Sequence, residues 1–599
     1  MNPDIKETYQ ALADRYLSIA NQKKKQIRLI SFARFFSFIA IIPAYFYIRP
    51  LNETIAALAS FLLLALFLLL VKKFIATEKE QEFYLKLYDI NSNEISALQR
   101  NFSRFDPGKE FIDPHHDYSF DLDLYGDGSL FQLLNRTVTA SGKRRLSAIL
   151  NLSQRTADDI AIRQESIEEL AKELYWRQYF LAKGKESENK KEQLRIDESI
   201  NQKIELKSVT FLKYLLWILP FITVALIVLE VSGILSGSFY LLPVFLQWVL
   251  FITYSKTISK FKEQFENQSK VLDRYTEMLR HIENKSFQSA GLKQLRAHLQ
   301  HENETAGQII RKLQKILNEF DFRQNILIGF ILNSVFLWDI RCIYRLYFWQ
   351  KKYAADLPGW FDVIEETDAL VSLANCNYNH LAWVIPEVSS SEFAFNAEDL
   401  GHPLIDETRC VSNSFQISNE EKIVIITGAN MAGKSTFLRT VGVNLILASI
   451  GCKVCARSFN FSPIRIYTNM RTSDNLMNDE SYFYAELLRL QSMLTLLRNG
   501  ENLFVILDEM LKGTNSVDKL NGSKELIHQL ISLKTHGIVA THDLGLTELA
   551  QTIPAIKNQC FEVLLHDDEL RFDYKLTNGV TRTMNATFLM KKMGIIPKD

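Results

Sequence analysis

The chain has 599 residues, enough for several domains, with 69 basic and 69 acidic side chains and a formal net charge of zero. That balance excludes a global basic field for nucleic acid, so any such binding requires a local patch or an enclosed channel. Six cysteines in this length exclude a disulfide framework.

Residues 1–28 are polar and helix-compatible and end in Lys23, Lys24, Lys25 and Arg28. No small-residue cleavage site follows the next apolar run, so the segment is not a cleaved signal. Residues 35–48 are uncharged, with Arg34 able to snorkel at their edge. A short turn with Pro50 leads into 54–71, an uncharged Leu-rich run closed by Lys72 and Lys73. Both runs approach the roughly 20 residues that span a bilayer, so 29–73 is predicted to be a transmembrane hairpin. Residues 74–117 read as a linker helix and loop. Within that loop, His115, His116 and Asp117 are expected to form a polar turn rather than a metal site.

Between 129 and 183 helical patterns alternate, with breaks expected at Gly142 and Ser153. A second transmembrane hairpin is predicted at 214–254, where two apolar runs flank a Gly/Ser-rich link. Basic residues flank the open ends of both hairpins, and only Arg49 lies in a connecting turn. The positive-inside rule then places both chain ends in the cytoplasm, giving a multi-pass protein of the cytoplasmic membrane with lipid as a partner. Residues 255–320 are rich in charge and are expected to form a solvated helical arm. The apolar run 326–338 spans only 13 residues and is expected to be a buried core helix.

The densest chemical signal is KIVIITGANMAGKST, 422–436. A β-branched apolar run breaks at Gly428, and Gly428, Gly433, Lys434 and Ser435 satisfy G-x-x-x-x-G-K-[ST]. Such a loop, Gly428-Ala429-Asn430-Met431-Ala432-Gly433-Lys434-Ser435-Thr436, bends so that successive N–H groups face phosphate oxygens. Lys434 reaches the β- and γ-phosphates, Ser435 is a Mg²⁺ ligand, and the following helix turns its positive end to the anion. ATP and Mg²⁺ are the expected cofactors. Downstream, LFVILDE ends a buried strand in Asp508 and Glu509. The first acid suits Mg²⁺ and the second suits the attacking water. HGIVATHD ends another strand at His542, a candidate γ-phosphate sensor. Cys452 and Cys455 form a lone C-x-x-C with no further ligands nearby and read as small apolar residues behind this site.

TGANMAGKST, SYFYAELLRL (481–490), LDEMLKGTNSVD (507–518) and VATHD (539–543) occur in the order found in the DNA mismatch-repair MutS family, which this chain resembles. YKLTNGVTRTMNATFLMKKMGI (574–595) resembles that family's closing segment, and GHPLID (401–406) its entry into the ATPase. DLYGDGSLFQLLNRTVTASGKRRL (123–146), IRQESIEEL (162–170) and FLWDI (336–340) resemble landmarks of its helical core. The resemblance therefore covers about 118–599, interrupted by the second hairpin, and is strongest over 400–595. It implies an α/β P-loop NTPase domain of the MutS/ABC type at 396–599. Ahead of it would stand an all-α core and arm region at 118–395, interrupted at 214–254, and the first hairpin.

The resemblance also implies roles. Asn430, Lys434 and Ser435 hold phosphate and Mg²⁺, Asp508 supports the metal, Glu509 polarises water and His542 senses the γ-phosphate. Ser481 would reach the nucleotide of the opposite subunit, with Asp518 at the same interface, so a homodimer with two composite ATP sites acting on DNA is expected. Lys512 stands where the family usually has arginine and Lys519 where it usually has glycine, which implies altered coupling between sites. The space ahead of the core holds a membrane hairpin, so direct mismatch reading is not expected. Phe261-Lys262-Glu263 matches a mismatch-reading F-x-E tripeptide, but it lies in a charged helix beside a predicted span and is discounted. Two other classes compete: an ABC-like transport ATPase and a membrane tether whose dimerisation is ATP-controlled. Against the first, LLRLQSMLTLLRNGENLF stands where a Leu-Ser-Gly-Gly-Gln-like stretch would precede the acidic strand.

Overall fold

The computed structural model describes residues 3–152, 155–185, 206, 208–265, 269–321, 325–390, 393–471, 482–512, 514–566 and 569–581. The chain forms two compact units. The first comprises Met1–Arg136, Arg145–Ala182 and Ala369–Asp599; the second comprises Thr137–Arg144 and Lys183–Asp368.

The first unit begins with two 46-residue helices, α1 (Pro3–Ile48) and α2 (Glu53–Leu98), paired as an antiparallel hairpin. Each is about 70 Å long at 1.5 Å per residue. Asn52 starts α2 by accepting from the backbone N–H groups of Thr54 and Ile55. The two ends of the hairpin differ in what they bury. Near the chain terminus, Ile5, Tyr9, Leu12 and Tyr16 recur at helical spacing and pack with Leu87 and Leu174. Toward the tip the helices are apolar all round, and Phe32, Phe36, Ile42, Phe61, Leu62 and Leu69 are all exposed. Asp4–Ile48, Glu53–Leu98 and Val209–Val231 are long and apolar enough to cross a membrane, and two bent pairs raise the number to five if each is one span.

The second unit holds Val209–Val231 and Leu241–Thr253, both apolar, with Ile326–Phe336 packed against each. The expectation of a buried core helix at 326–338 is corrected here. Leu327, Ile328, Phe330 and Ile331 are exposed, whereas the buried face is the small and polar one, Gly329, Asn333 and Ser334. Length and hydropathy cannot reveal this inversion, because an all-apolar helix has no polar face to orient it. The buried Gln247 amide, with its oxygen toward Thr223 Oγ1 (2.7 Å), donates to the Ser334 carbonyl at 2.8 Å and joins the three helices. Trp248 Nε1 donates to Ser334 Oγ at 3.1 Å.

The charged stretch 255–320 is also more structured than a solvated arm. Val271, Leu272, Tyr275, Met278, Leu279 and Ile282 bury one face of Ser269–Glu283, and Ile309, Ile310, Leu313 and Leu317 do the same on Ala306–Asp321. The two helices pack together, with a short ladder of β1 (Gln300–His301) and β2 (Glu304–Thr305) between them in sequence. Phe261 is a core residue, its ring 4.4 Å edge-on from Phe320. Gly142 is not a break but lies in the first turn of Ala140–Asn151. A Cβ there would stand 2.3 Å from an Asp368 carboxylate oxygen, which accepts from the Thr139 N–H and hydroxyl at the helix start. Ser153 lies outside the described residues.

The C-terminal part of the first unit carries two sheets. The smaller has strand order β3-β7-β4-β5, from Glu387–Val388 (β3), Phe395–Leu400 (β4), Asn413–Ile417 (β5) and Ser458–Phe461 (β7). The larger has order β12-β11-β6-β10-β9-β8, from Ile423–Gly428 (β6), Arg465–Asn469 (β8), Leu503–Asp508 (β9), His536–Thr541 (β10), Ile556–His566 (β11) and Glu569–Asn578 (β12). All its pairings are parallel except β11 with β12. Strand β6 is buried along its whole length, which explains its unbroken apolar run. The parallel order β6-β10-β9 brings three carboxyl ends together, the edge where α/β sheets bind ligands.

Candidate nucleotide site

At that edge β6 ends in Gly428 and the loop 429–433 leads into the Lys434–Ser449 helix. Gly433 has φ +108°, a conformation that favours glycine, and a Cβ on it would press on the Tyr574 ring at 3.2 Å. Lys434 is buried and donates to the Gly428 and Ala429 carbonyl oxygens at 2.6 and 3.1 Å. Burial lowers its pKa, against the pull of Glu509 and Asp508. Ala432 is buried, whereas Asn430, Met431, Ser435 and Thr436 are exposed.

Ser435 Oγ donates to Asp508 Oδ2 at 2.6 Å, joining the start of the Lys434–Ser449 helix to the end of β9. Burial raises the Asp508 pKa, opposed by that hydrogen bond. Asp508 Oδ1 is buried without a hydrogen-bond partner among the described residues. A hydroxyl beside a carboxylate with a spare oxygen is a hard-oxygen donor pair that fits Mg²⁺. Glu509 follows in a left-handed backbone conformation, φ +52°, with its N–H on the Ala540 carbonyl at 2.9 Å. Its carboxylate lies 3.4 Å from His542 Nδ1 and 3.9 Å from Lys512 Nζ. Asp518 is exposed near the start of Ser516–Ser532, where its carboxylate accepts from Asn515 Nδ2 at 2.6 Å, and it does not line the cavity. Ser481 lies outside the described residues.

Beside the loop is a cavity of about 990 Å³ lined by Ala429 to Met431, Gly433 to Phe437 and Glu509. Several of its other wall residues take no role from the sequence, although Tyr574 and His402 fall within the segments 574–595 and 401–406. Tyr574 packs its ring against Gly433, and its carbonyl accepts from Asn413 Nδ2 at 3.0 Å. His402 and Arg409 come from the strap after β4, and Gln99 and Arg100 from the end of α2. Glu486, buried on Tyr482–Arg498, accepts from the Leu511 and Lys512 N–H groups at 2.6 and 3.2 Å and fixes the loop after Glu509. The His115–Asp117 segment forms a turn in which His116 Nδ1 accepts from the Tyr118 and Ser119 N–H groups. Cys452 is buried and Cys455 partly so; both are free thiols.

Residues 424–598 match the family model described as MutS domain V. The C-terminal region of the chain therefore carries a MutS domain V. The chain is similar to the DNA mismatch repair protein MSH4 of Arabidopsis thaliana, 33% identical over 199 residues, covering 33% of this chain and 25% of that protein. It is equally similar to the DNA mismatch repair protein MutS of Orientia tsutsugamushi (strain Boryong), 33% identical over 236 residues, 37% of this chain and 26% of that protein. The MutS protein of Leptospira interrogans is 28% identical over 253 residues, 41% of this chain and 29% of its own. The MutS-type match thus spans between a quarter and a third of the length of these curated relatives.

Proposed function

We propose that this protein is a membrane-anchored, Mg²⁺-dependent ATP hydrolase of MutS type that pairs with a second copy and acts on DNA. The observation that carries the catalytic reading is the Ser435–Asp508 hydrogen bond beside Lys434, between the start of the Lys434–Ser449 helix and the end of β9. The loop N–H groups of 429–436 and the helix N-terminus would bind the phosphates, with Lys434 exchanging its loop carbonyls for phosphate oxygens. Ser435 and Asp508 would hold Mg²⁺, which supplies charge neutralisation at the β- and γ-phosphates. Glu509 orients and polarises the attacking water, and His542, 3.4 Å from it, senses the γ-phosphate. Tyr574 offers its ring to the base. Ser481 and Asp518 belong to the opposing subunit's site, and closure of that interface would exclude water from the reaction.

Membrane anchoring is supported by the exposed apolar tip of the α1–α2 hairpin and by the polar-in, apolar-out packing of Ile326–Phe336. Lys23, Lys24, Lys25, Arg28, Lys72 and Lys73 border the tip and favour a cytoplasmic stalk and ATPase. DNA as ligand follows from the family, and mismatch specificity is not part of the proposal.

The Glu509→Ala chain, purified in detergent, should retain ATP without turning it over; wild-type turnover would remove Glu509 from its role. Gel shifts with duplex, branched and single-stranded DNA test the ligand, and absence of any ATP-sensitive shift would overturn it. Release from membranes by salt alone would refute the anchor.

A further inference from the structure

Helix α2 leaves its apolar section at Val71 and continues for about 40 Å to Leu98. Its lower end is fixed. Leu87 is fully buried, Asn91 and Gln178 exchange side-chain hydrogen bonds at 3.2 and 2.8 Å, and Glu94 pairs with Arg136. Past Leu98 the chain stops in a left-handed turn at Arg100, φ +64°, whose N–H bonds the Ala97 carbonyl at 2.9 Å. That turn carries the guanidinium onto the strap after β4. Nη1 donates to the Pro403 carbonyl and Nη2 to the Ile405 carbonyl, each at 2.9 Å. Arg100, Gln99 and the strap residues His402, Leu404 and Ile405 line the same cavity as the phosphate loop. The inner wall of that cavity is thus the end of a hairpin helix, held by two hydrogen bonds from one cation.

We propose that Arg100 is a positioning residue for the nucleotide pocket and couples the placement of the α1–α2 hairpin to ATP affinity. This rests on the ATP and membrane readings above. The planar guanidinium meets both carbonyls at once, whereas a lysine reaches only one of them at a time. Losing the fork frees the strap from α2, so the cavity wall is no longer set by the hairpin.

The test uses the full chain in liposomes of short-chain and long-chain phosphatidylcholine, since bilayer thickness tilts or shifts a spanning hairpin. Steady-state ATP hydrolysis gives KM and kcat separately. In the wild type KM changes between the two lipids. In Arg100→Ala KM rises about tenfold, as expected for two charge-assisted hydrogen bonds, while kcat stays within about twofold and the lipid dependence disappears. Arg100→Lys falls between them, and because it keeps the charge it separates positioning from misfolding. An unchanged KM in Arg100→Ala, or a fall in kcat alone, overturns the positioning role. A wild type indifferent to lipid thickness, or an Arg100→Ala chain that still responds to it, overturns the coupling. A wild type that does not hydrolyse ATP at all overturns the catalytic reading itself, a result distinct from either.

Discussion

A buried ion pair helps hold the foot of the α1–α2 hairpin, and removing half of it should be costly. Glu94 and Arg136 expose only 4% and 5% of their side chains. Glu94 accepts from Arg136 Nε at 2.5 Å and Nη2 at 3.4 Å, and from Asn379 Nδ2 at 2.9 Å. Breaking a buried pair by deleting one partner costs about 3–5 kcal/mol. Arg136 keeps the Leu133 and Asn135 carbonyls and lies 3.7 Å over the Phe105 ring, so the lower end applies to it, about 3 kcal/mol. Asn379 losing its acceptor adds about 1 kcal/mol. Glu94→Ala should therefore cost about 4 kcal/mol. The double variant Glu94→Met, Arg136→Met fills the volume without a stranded charge and should cost only about 1–2 kcal/mol, chiefly because Asn379 and the Leu133 and Asn135 carbonyls lose these hydrogen bonds. Pulse proteolysis of the full chain across a urea series in detergent reads both. A Glu94→Ala loss below about 1 kcal/mol, or a double variant as unstable as the two single losses added, would refute the reasoning.

Glu509→Ala should lower single-turnover hydrolysis by about 10²–10⁴-fold while equilibrium binding of labelled ATP is kept; a loss confined to binding contradicts the assigned role. Tyr574→Ala should weaken ATP and ADP about equally, by roughly tenfold, if the ring stacks on the base; equal affinity by fluorescence titration counts against it. Burial drives the His402 imidazole down to about 4, so it is neutral in both states above about pH 6.5 and stability there is full. As pH falls from 6.5 to 4 the unfolded chain takes the proton first, removing at most about 3 kcal/mol. His402→Asn should flatten that part of the pH–stability curve, and an unchanged curve excludes His402 as a source. If the exposed apolar face of Ile326–Phe336 meets acyl chains as proposed, a polarity-sensitive dye on Ile331→Cys should shift to the blue on reconstitution; a water-like spectrum assigns the face elsewhere.

The phosphate loop, Asp508 and the end of β10 were readable because each is a local event, an apolar β-branched run stopped by a fixed chemical group. Tyr574 and Arg100 were not. Asn413 meets the Tyr574 carbonyl across 161 positions, and Arg100 meets Pro403 across 303, so their roles exist only in the tertiary register. Charge density hid the apolar face of Ser269–Glu283, since four polar residues per turn pair can surround a stripe that is still complete. At Gly142 composition suggested a break, but the residue serves the close approach of Asp368 to a helix start. Hydropathy found the apolar runs and could not tell which face of Ile326–Phe336 turns outward.

The hairpin's two equal helices return the chain to the level at which it began, and the buried cluster at their foot takes in Leu174 and Ala182 from farther along the chain. If the hairpin anchors the chain as proposed, every copy would be confined to the membrane surface. Two phosphate loops would then meet by lateral diffusion, and pairing would respond to copies per unit of membrane area, so that crowding or diluting the surface would switch the composite sites without altering the total amount of protein.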